Sequence, residues 1–198
     1  PFGSQFHAHE YQSEGVPVVM PQNIDAGRVS TTGIARVGES RANDLLRHRM
    51  RRDDIVIGRR GDLSRAAAIT EREEGWLCGT GCFLLRLGNS ELQPDFASYV
   101  YGQHFVQQQI AGRAVGTTMA SLNNSVMSDL WFPFCEGHEQ LRIVERLQSV
   151  DQDARALNAL ATVTRQAKAG LMHDLLTGRV RVPVAEAQKV AANGGAPR

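Results

Sequence analysis

Up to Pro133 the chain alternates short apolar, β-branched runs with Gly, Pro and Asp punctuation, and from about His138 that texture gives way to one long helical period. Val16-Pro17-Val18-Val19 between Gly15 and Pro21 reads as a brief strand. Its prolines remove ladder donors, so it is expected at a sheet edge or to end early. Residues 41–50 have helical spacing with Ser40 as an N-cap candidate. Asp54-Ile55-Val56-Ile57 is a β-branched strand running into the glycine-flanked basic turn Gly58-Arg59-Arg60-Gly61-Asp62, and residues 66–69 form a further strand. Residues 76–87 read as a core strand broken by Gly79 and Gly81, and residues 95–110 as one helix with Phe96, Tyr99, Val100, Phe105 and Val106 near one side. A loop over 112–124 carries Gly116-Thr117-Thr118 and precedes a short strand at 126–133.

Good helix formers then continue from His138 to Leu176 without a proline, with Gly170 as the weak point. At about 1.5 Å per residue such a helix spans roughly 55 Å, more than the head can cover. Its apolar stripe runs through Ile143, Leu147, Val150, Ala154, Leu157 and Ala161, then continues on a shifted face through Leu160, Val163, Ala167 and Leu171. Ile143, Leu147, Val150, Leu157, Leu160 and Leu171 are therefore expected to pack on a partner helix. The broken register implies different neighbours along the length.

These elements predict an α+β chain: a mixed globular head with a twisted, strand-rich core over residues 1–134, a long coiled-coil-type helix over 135–177, and a frayed tail over 178–198. The 198 residues suffice for one domain plus an accessory element.

Net charge is only +1, so composition alone does not announce a nucleic-acid binder. The distribution says more. Residues 28–65 hold ten arginines against Glu39, Asp44, Asp53, Asp54 and Asp62, a local excess of five, while the rest of the head is acidic. Lysine occurs only at 168 and 189, and guanidinium forks suit phosphates and guanine edges better than an ammonium does. A GC-rich genome would also favour arginine.

Cys78, Cys82 and Cys135 show no framework spacing, which points to reduced thiols and a cytoplasmic protein. Cys78 and Cys82 read as buried structural thiols, and no metal ligation is expected from them or from the scattered histidines. No signal peptide or membrane-length apolar run is present in the sequence. There is no P-loop, no complete Gly-x-Gly-x-x-Gly, no Gly-x-Ser-x-Gly elbow and no Asn-Pro-Pro-aromatic loop. The chain reads as a binder without cofactor.

Taken in order, the motifs are Gly15-Val16-Pro17-Val18-Val19 leading to Gln22-Asn23-Ile24, then Asp54-Ile55-Val56-Ile57 before Arg59-Arg60-Gly61-Asp62. Gly116-Thr117-Thr118-x-x-Ser121-Leu122-Asn123 follows, with Glu139-Gln140 opening the helix and Leu175-Leu176-Thr177-Gly178-Arg179 closing it. The ordered set over residues 1–182 resembles the specificity subunit of type I restriction-modification systems, as one target recognition domain followed by one conserved helical region.

That resemblance implies a non-catalytic subunit that reads one half of a bipartite site on double-stranded DNA. It further implies adenine methyltransferase (modification) subunits and a restriction/translocase subunit as partners. The family arranges two such units with antiparallel helices. This chain has one, and begins at Pro1 without methionine, so either a second copy of itself or a missing second half is expected. In this setting Arg28 and Arg65 would face phosphates, and Arg59 and Arg60 would reach base edges. Gln22 and Asn23 have the side chains to read adenine, and Thr117 and Thr118 could contact backbone or bases. Each has a plainer role available, as a turn residue, an ion-pair partner or a packing contact. The alternative class is a non-enzymatic assembly or adaptor protein with a protein-binding head and an oligomerising helix. A small enzyme using Cys78 or Cys82 is the remaining possibility.

Overall fold

The computed structural model describes residues 6–88, 90–113 and 122–182. Its strands are β1 Tyr11–Gln12, β2 Val16–Val19, β3 Ile24–Asp25, β4 Arg28–Val29, β5 Ala35–Val37, β6 Ile55–Gly58, β7 Ala66–Ala68, β8 Leu77–Cys78 and β9 Cys82–Leu85. The α-helices are α1 Glu39–Asp44, α2 Pro94–Tyr101, α3 His104–Ala111, α4 Asn124–Ser128 and α5 Gly137–Leu176. The fold is thus α+β with a long final helix, as the hydrophobic pattern predicts.

Packing divides the chain into two units, Pro1–Leu147 and Gln148–Arg198. The division falls inside α5, thirteen residues beyond the 134/135 boundary expected from composition.

In the first unit β6 is the centre of a three-stranded antiparallel sheet, β7-β6-β9. Side chains alternate across a strand, and here both faces are covered. Ile55 and Ile57 join Phe83, Phe96, Val100, Tyr101, Val106 and Ile110 under the helices. Val56 joins Val19, Ile24, Val29, Cys78 and Cys82 on the opposite face. Two-sided burial is why the strand reads as an uninterrupted Ile-Val-Ile run. A second sheet, β1-β5-β2-β8, is packed by Ala42 of α1 and by Leu45. The broken strand at 76–87 supplies one strand to each sheet, with Gly79 and Gly81 at the crossing.

Several expectations are corrected. β2 lies between β5 and β8, not at an edge. Pro17 is tolerated because β8 pairs only with Val18 and Val19, so at Pro17 the strand has a neighbour on one side only. Helix α1 begins after Gly38, so Ser40 lies within it and is not its cap. The expected single helix at 95–110 is two helices. Gln103 is extended (ψ 147°), which turns the chain so that Val100 and Ile110 enter the same core. The strand expected at 126–133 is replaced by α4, whose first turn is fixed by Asn123 Oδ1 accepting from Val126 N–H at 2.9 Å.

On α5 the buried residues are Gln140 and Val144, one helical turn apart. The predicted stripe is exposed within this chain: Ile143 and Leu147 are partly so, and Val150, Leu157, Leu160 and Leu171 are each more than half accessible. The helix ends as its Leu-Leu-Thr-Gly sequence requires. Gly178 takes φ 73° and donates to Leu175 O at 3.2 Å, Val180 N–H returns to Asp174 O at 3.0 Å, and Thr177 Oγ1 donates to His173 O at 2.6 Å.

Candidate nucleic-acid interface

The basic turn after β6 is closed by Gly58 N–H donating to Arg65 O at 2.8 Å. A Cβ on Gly58 would lie 3.0 Å from Asp62 O, a tight contact, and Gly61 takes φ 76°, which favours glycine. Within it Asp62 accepts from the Ser64 hydroxyl (2.5 Å), Ser64 N–H (3.1 Å) and Arg65 Nε (3.0 Å). The Ser64 hydroxyl first, then its N–H and Arg65, hold the Asp62 carboxyl below its usual range despite partial burial.

Three segments far apart in sequence meet at this turn. Arg65 Nη1 donates to Ile24 O at 3.0 Å and Pro21 O at 3.3 Å, fixing the Gln22–Asn23 turn. Arg59 Nε donates to Leu122 O at 2.9 Å, and Leu122 N–H returns to Arg59 O at 3.1 Å. Arg59 N–H also donates to Gly81 O at 2.6 Å, and its guanidinium lies 5.4 Å from the centroid of the Phe83 ring.

The residues singled out by sequence therefore fare differently. Gln22 and Arg60 are exposed on adjoining turns. Arg28 is exposed on the β3–β4 hairpin, whose two central residues, Ala26 (φ 45°) and Gly27 (φ 73°), both lie in the left-handed region, as a type I′ turn demands. Asn23, expected to read adenine, is buried: its Oδ1 accepts from Met20 N–H and its Nδ2 donates to Thr32 O. Both ends of its amide are spent on the turn. Arg65, expected at phosphates, and Arg59, expected at base edges, use their Nε and carbonyl-directed groups to hold neighbouring segments. Thr117 and Thr118 lie outside the described residues; Leu122, four positions after Thr118 in sequence, is clamped to Arg59.

The local excess of arginine is partly neutralised. Arg41 pairs with Glu10, Arg49 with Glu39, Arg52 with Glu71 and Arg65 with Asp62, while Arg86 pairs with the buried Asp54. Arg28, Arg47, Arg51 and Arg60 are exposed and make no ion pair among the described residues. These four are the cations the first unit offers from residues 28–65.

Sequence reasoning placed Gln140 at the helix start but missed its work. Fully buried, it accepts from Gln93 N–H at 2.8 Å and donates to Cys135 O at 2.7 Å and Glu91 O at 3.3 Å. An amide one turn before an apolar Val144 on an otherwise charged helix start was the available signal. Cys78 and Cys82 are buried in the core, where desolvation raises both thiol pKa values, that of Cys78 to about 12. Among the described residues no group of three His, Cys, Asp or Glu side chains is placed to hold a metal, and no helix is long and apolar enough to cross a membrane.

No family model matches the chain. It is 21% identical, over 193 residues, to the type I restriction enzyme MjaVIII specificity subunit of Methanocaldococcus jannaschii, covering 91% of this chain and 43% of that protein. Its fold matches the type I restriction-modification S subunit from M. genitalium with TM-score 0.56 and 20% identity, over 88% of this chain and 42% of that one. The HsdS subunit from Thermoanaerobacter tengcongensis gives TM-score 0.58 and 17% identity, over 88% and 48%. The chain spans less than half the length of each of these relatives. In sequence likeness and in fold, it resembles the specificity subunits of type I restriction-modification systems, as the order of its motifs implied.

Proposed function

We propose that the chain is a DNA sequence-recognition unit of a type I restriction-modification system, with the first unit reading one half of a bipartite target. The observation that carries this reading is the shared fold with two S subunits over 88% of the chain. The convergence of the Gln22 turn, the Arg60 turn and Leu122 at one place supports it, because separate segments brought together can span successive bases. The unit, residues 1–134 with the start of α5, lends specificity and has no catalytic role. The exposed stripe of α5 is the surface for a second copy of this chain or for the other half of a longer subunit, and for docking the methyltransferase subunits. The restriction/translocase subunit joins the full complex, which works in the cytoplasm.

Titrating the chain against random duplex DNA at rising salt tests the reading. Phosphate contacts from exposed arginines such as Arg28, Arg47 and Arg51 require binding that weakens steeply with salt. A flat response would favour the adaptor alternative, which the pairing of five arginines with carboxylates otherwise supports. Methyl transfer from S-adenosylmethionine by the chain alone would overturn the non-catalytic assignment. Mapping the methylated motif in host DNA separates a second copy, which imposes a gapped palindrome, from a missing half, which gives an asymmetric gapped site.

A further inference from the structure

Between the β7-β6-β9 sheet and the helices above it lies a cavity of about 190 Å³. Ile57, Ala97 and Tyr101 form its deep side, each no more than 2% exposed. Leu92, Met127 and Phe132, which are only partly buried, line its outer side. Of the described side chains around it, only Tyr101 carries a strong hydrogen-bond donor, and that hydroxyl is buried with no partner among the described residues.

The two facts belong together physically. A buried water typically needs two to four polar partners, and the lining side chains provide one, so the cavity is poorly suited to water. Left empty, its lining forfeits dispersion contacts that a close-packed interior would make, and the Tyr101 hydroxyl stays desolvated with nothing in exchange. An apolar guest restores the first, and one acceptor atom on that guest restores the second. Burial, reinforced by the charge of Asp62, raises the pKa of the Tyr101 phenol, so it remains a protonated donor at neutral pH. The outer side has a route for entry: Phe132 belongs to the irregular segment after α4, and Met127 is unbranched and adaptable.

We propose that this cavity is a binding site for a small neutral aromatic molecule carrying one hydrogen-bond acceptor for the Tyr101 hydroxyl. The site is independent of any DNA-reading role, since none of Gln22, Arg28 and Arg60 lines it.

The test uses the full chain with two probes of equal size, benzene and pyridine, the latter under alkaline conditions where it is neutral. Both are expected to raise the melting temperature progressively with concentration, because each binds only the folded state. Ala97→Leu, which fills the deep side, is expected to abolish the shift with both probes. Ala97→Val is expected to reduce it, and keeps the test alive if the leucine variant does not fold. Tyr101→Phe is expected to leave the benzene shift in place while weakening pyridine about fivefold relative to benzene, the worth of one hydrogen bond. The proposal is overturned if neither probe shifts the unsubstituted chain, if the Ala97→Val chain responds as the unsubstituted one does, or if Tyr101→Phe weakens the two probes equally.

Discussion

Arg59 and Leu122, 63 residues apart in sequence, hold each other by two hydrogen bonds: Arg59 Nε donates to Leu122 O and Leu122 N–H donates to Arg59 O. The side chain of Arg59 also covers the Phe83 ring. Its neighbour Arg60 is exposed and unpaired among the described residues. Adjacent arginines on one turn therefore have separable work.

Substituting them should separate the two kinds of loss. Arg59→Ala removes one hydrogen bond and a cation–π contact, an expected cost of about 1–3 kcal/mol, visible as a lower urea midpoint. Arg60→Ala should cost less than about 0.5 kcal/mol and leave that midpoint nearly unmoved. On DNA, Arg60→Ala is expected to reduce affinity for the recognised sequence more than for random duplex. Equal loss on both, with a salt slope smaller by about one, would make Arg60 a phosphate contact.

Gln140 is the second position where a single change should be costly. Gln140→Leu keeps the volume but leaves Gln93 N–H and the Glu91 and Cys135 carbonyls without their partner. Stranding these buried groups should cost about 2–4 kcal/mol in chemical denaturation. Glu139→Ala, one residue away on the exposed side, should cost less than about 0.5 kcal/mol.

The hairpin carrying Arg28 is strained at Ala26, which sits at φ 45° where a Cβ is disfavoured. Ala26→Asn creates the Asn-Gly pair preferred in such turns and should stabilise the chain by about 0.5–1 kcal/mol. A melting temperature unchanged or lowered by the substitution would contradict the assigned turn.

The thiols give a test of the core. Because burial raises the pKa of Cys78 and Cys82, neither should react with a thiol reagent at mildly alkaline pH while the chain is folded. Cys135 is only partly buried and should be the sole thiol labelled under those conditions. All three should react in guanidinium chloride, and rapid native labelling of Cys78 would show that the two sheets do not close over it.

The extent to which the sequence announces this structure follows from the range of the forces involved. The long helix was legible to within a residue or two at each end, because its start, its formers and its Gly178 terminator are all local signals. The β6 strand and its basic turn were legible for the same reason. The split between α2 and α3 was not, because it depends on Val100 and Ile110 sharing one core, a tertiary fact. Similarly, Asn123 capping outweighed the β-branched character of Val126, and Pro17 was misplaced because the extent of its partner strand is invisible in the sequence. Among the candidate site residues, side-chain type pointed to Asn23, Arg59 and Arg65, yet all three are engaged inside the protein. An arginine or asparagine has the same appearance in sequence whether it grips a carbonyl or faces solvent.

The partners chosen by Arg59 and Arg65 have an evolutionary consequence. Both arginines grip main-chain oxygens, those of Leu122, Pro21 and Ile24, and every amino acid supplies such an oxygen. Exposed side chains on these turns, Gln22 and Arg60 among them, can therefore be exchanged without loosening the grip that positions them. Selection for a new preference at this surface can proceed by point substitution while the scaffold beneath it stays as it is.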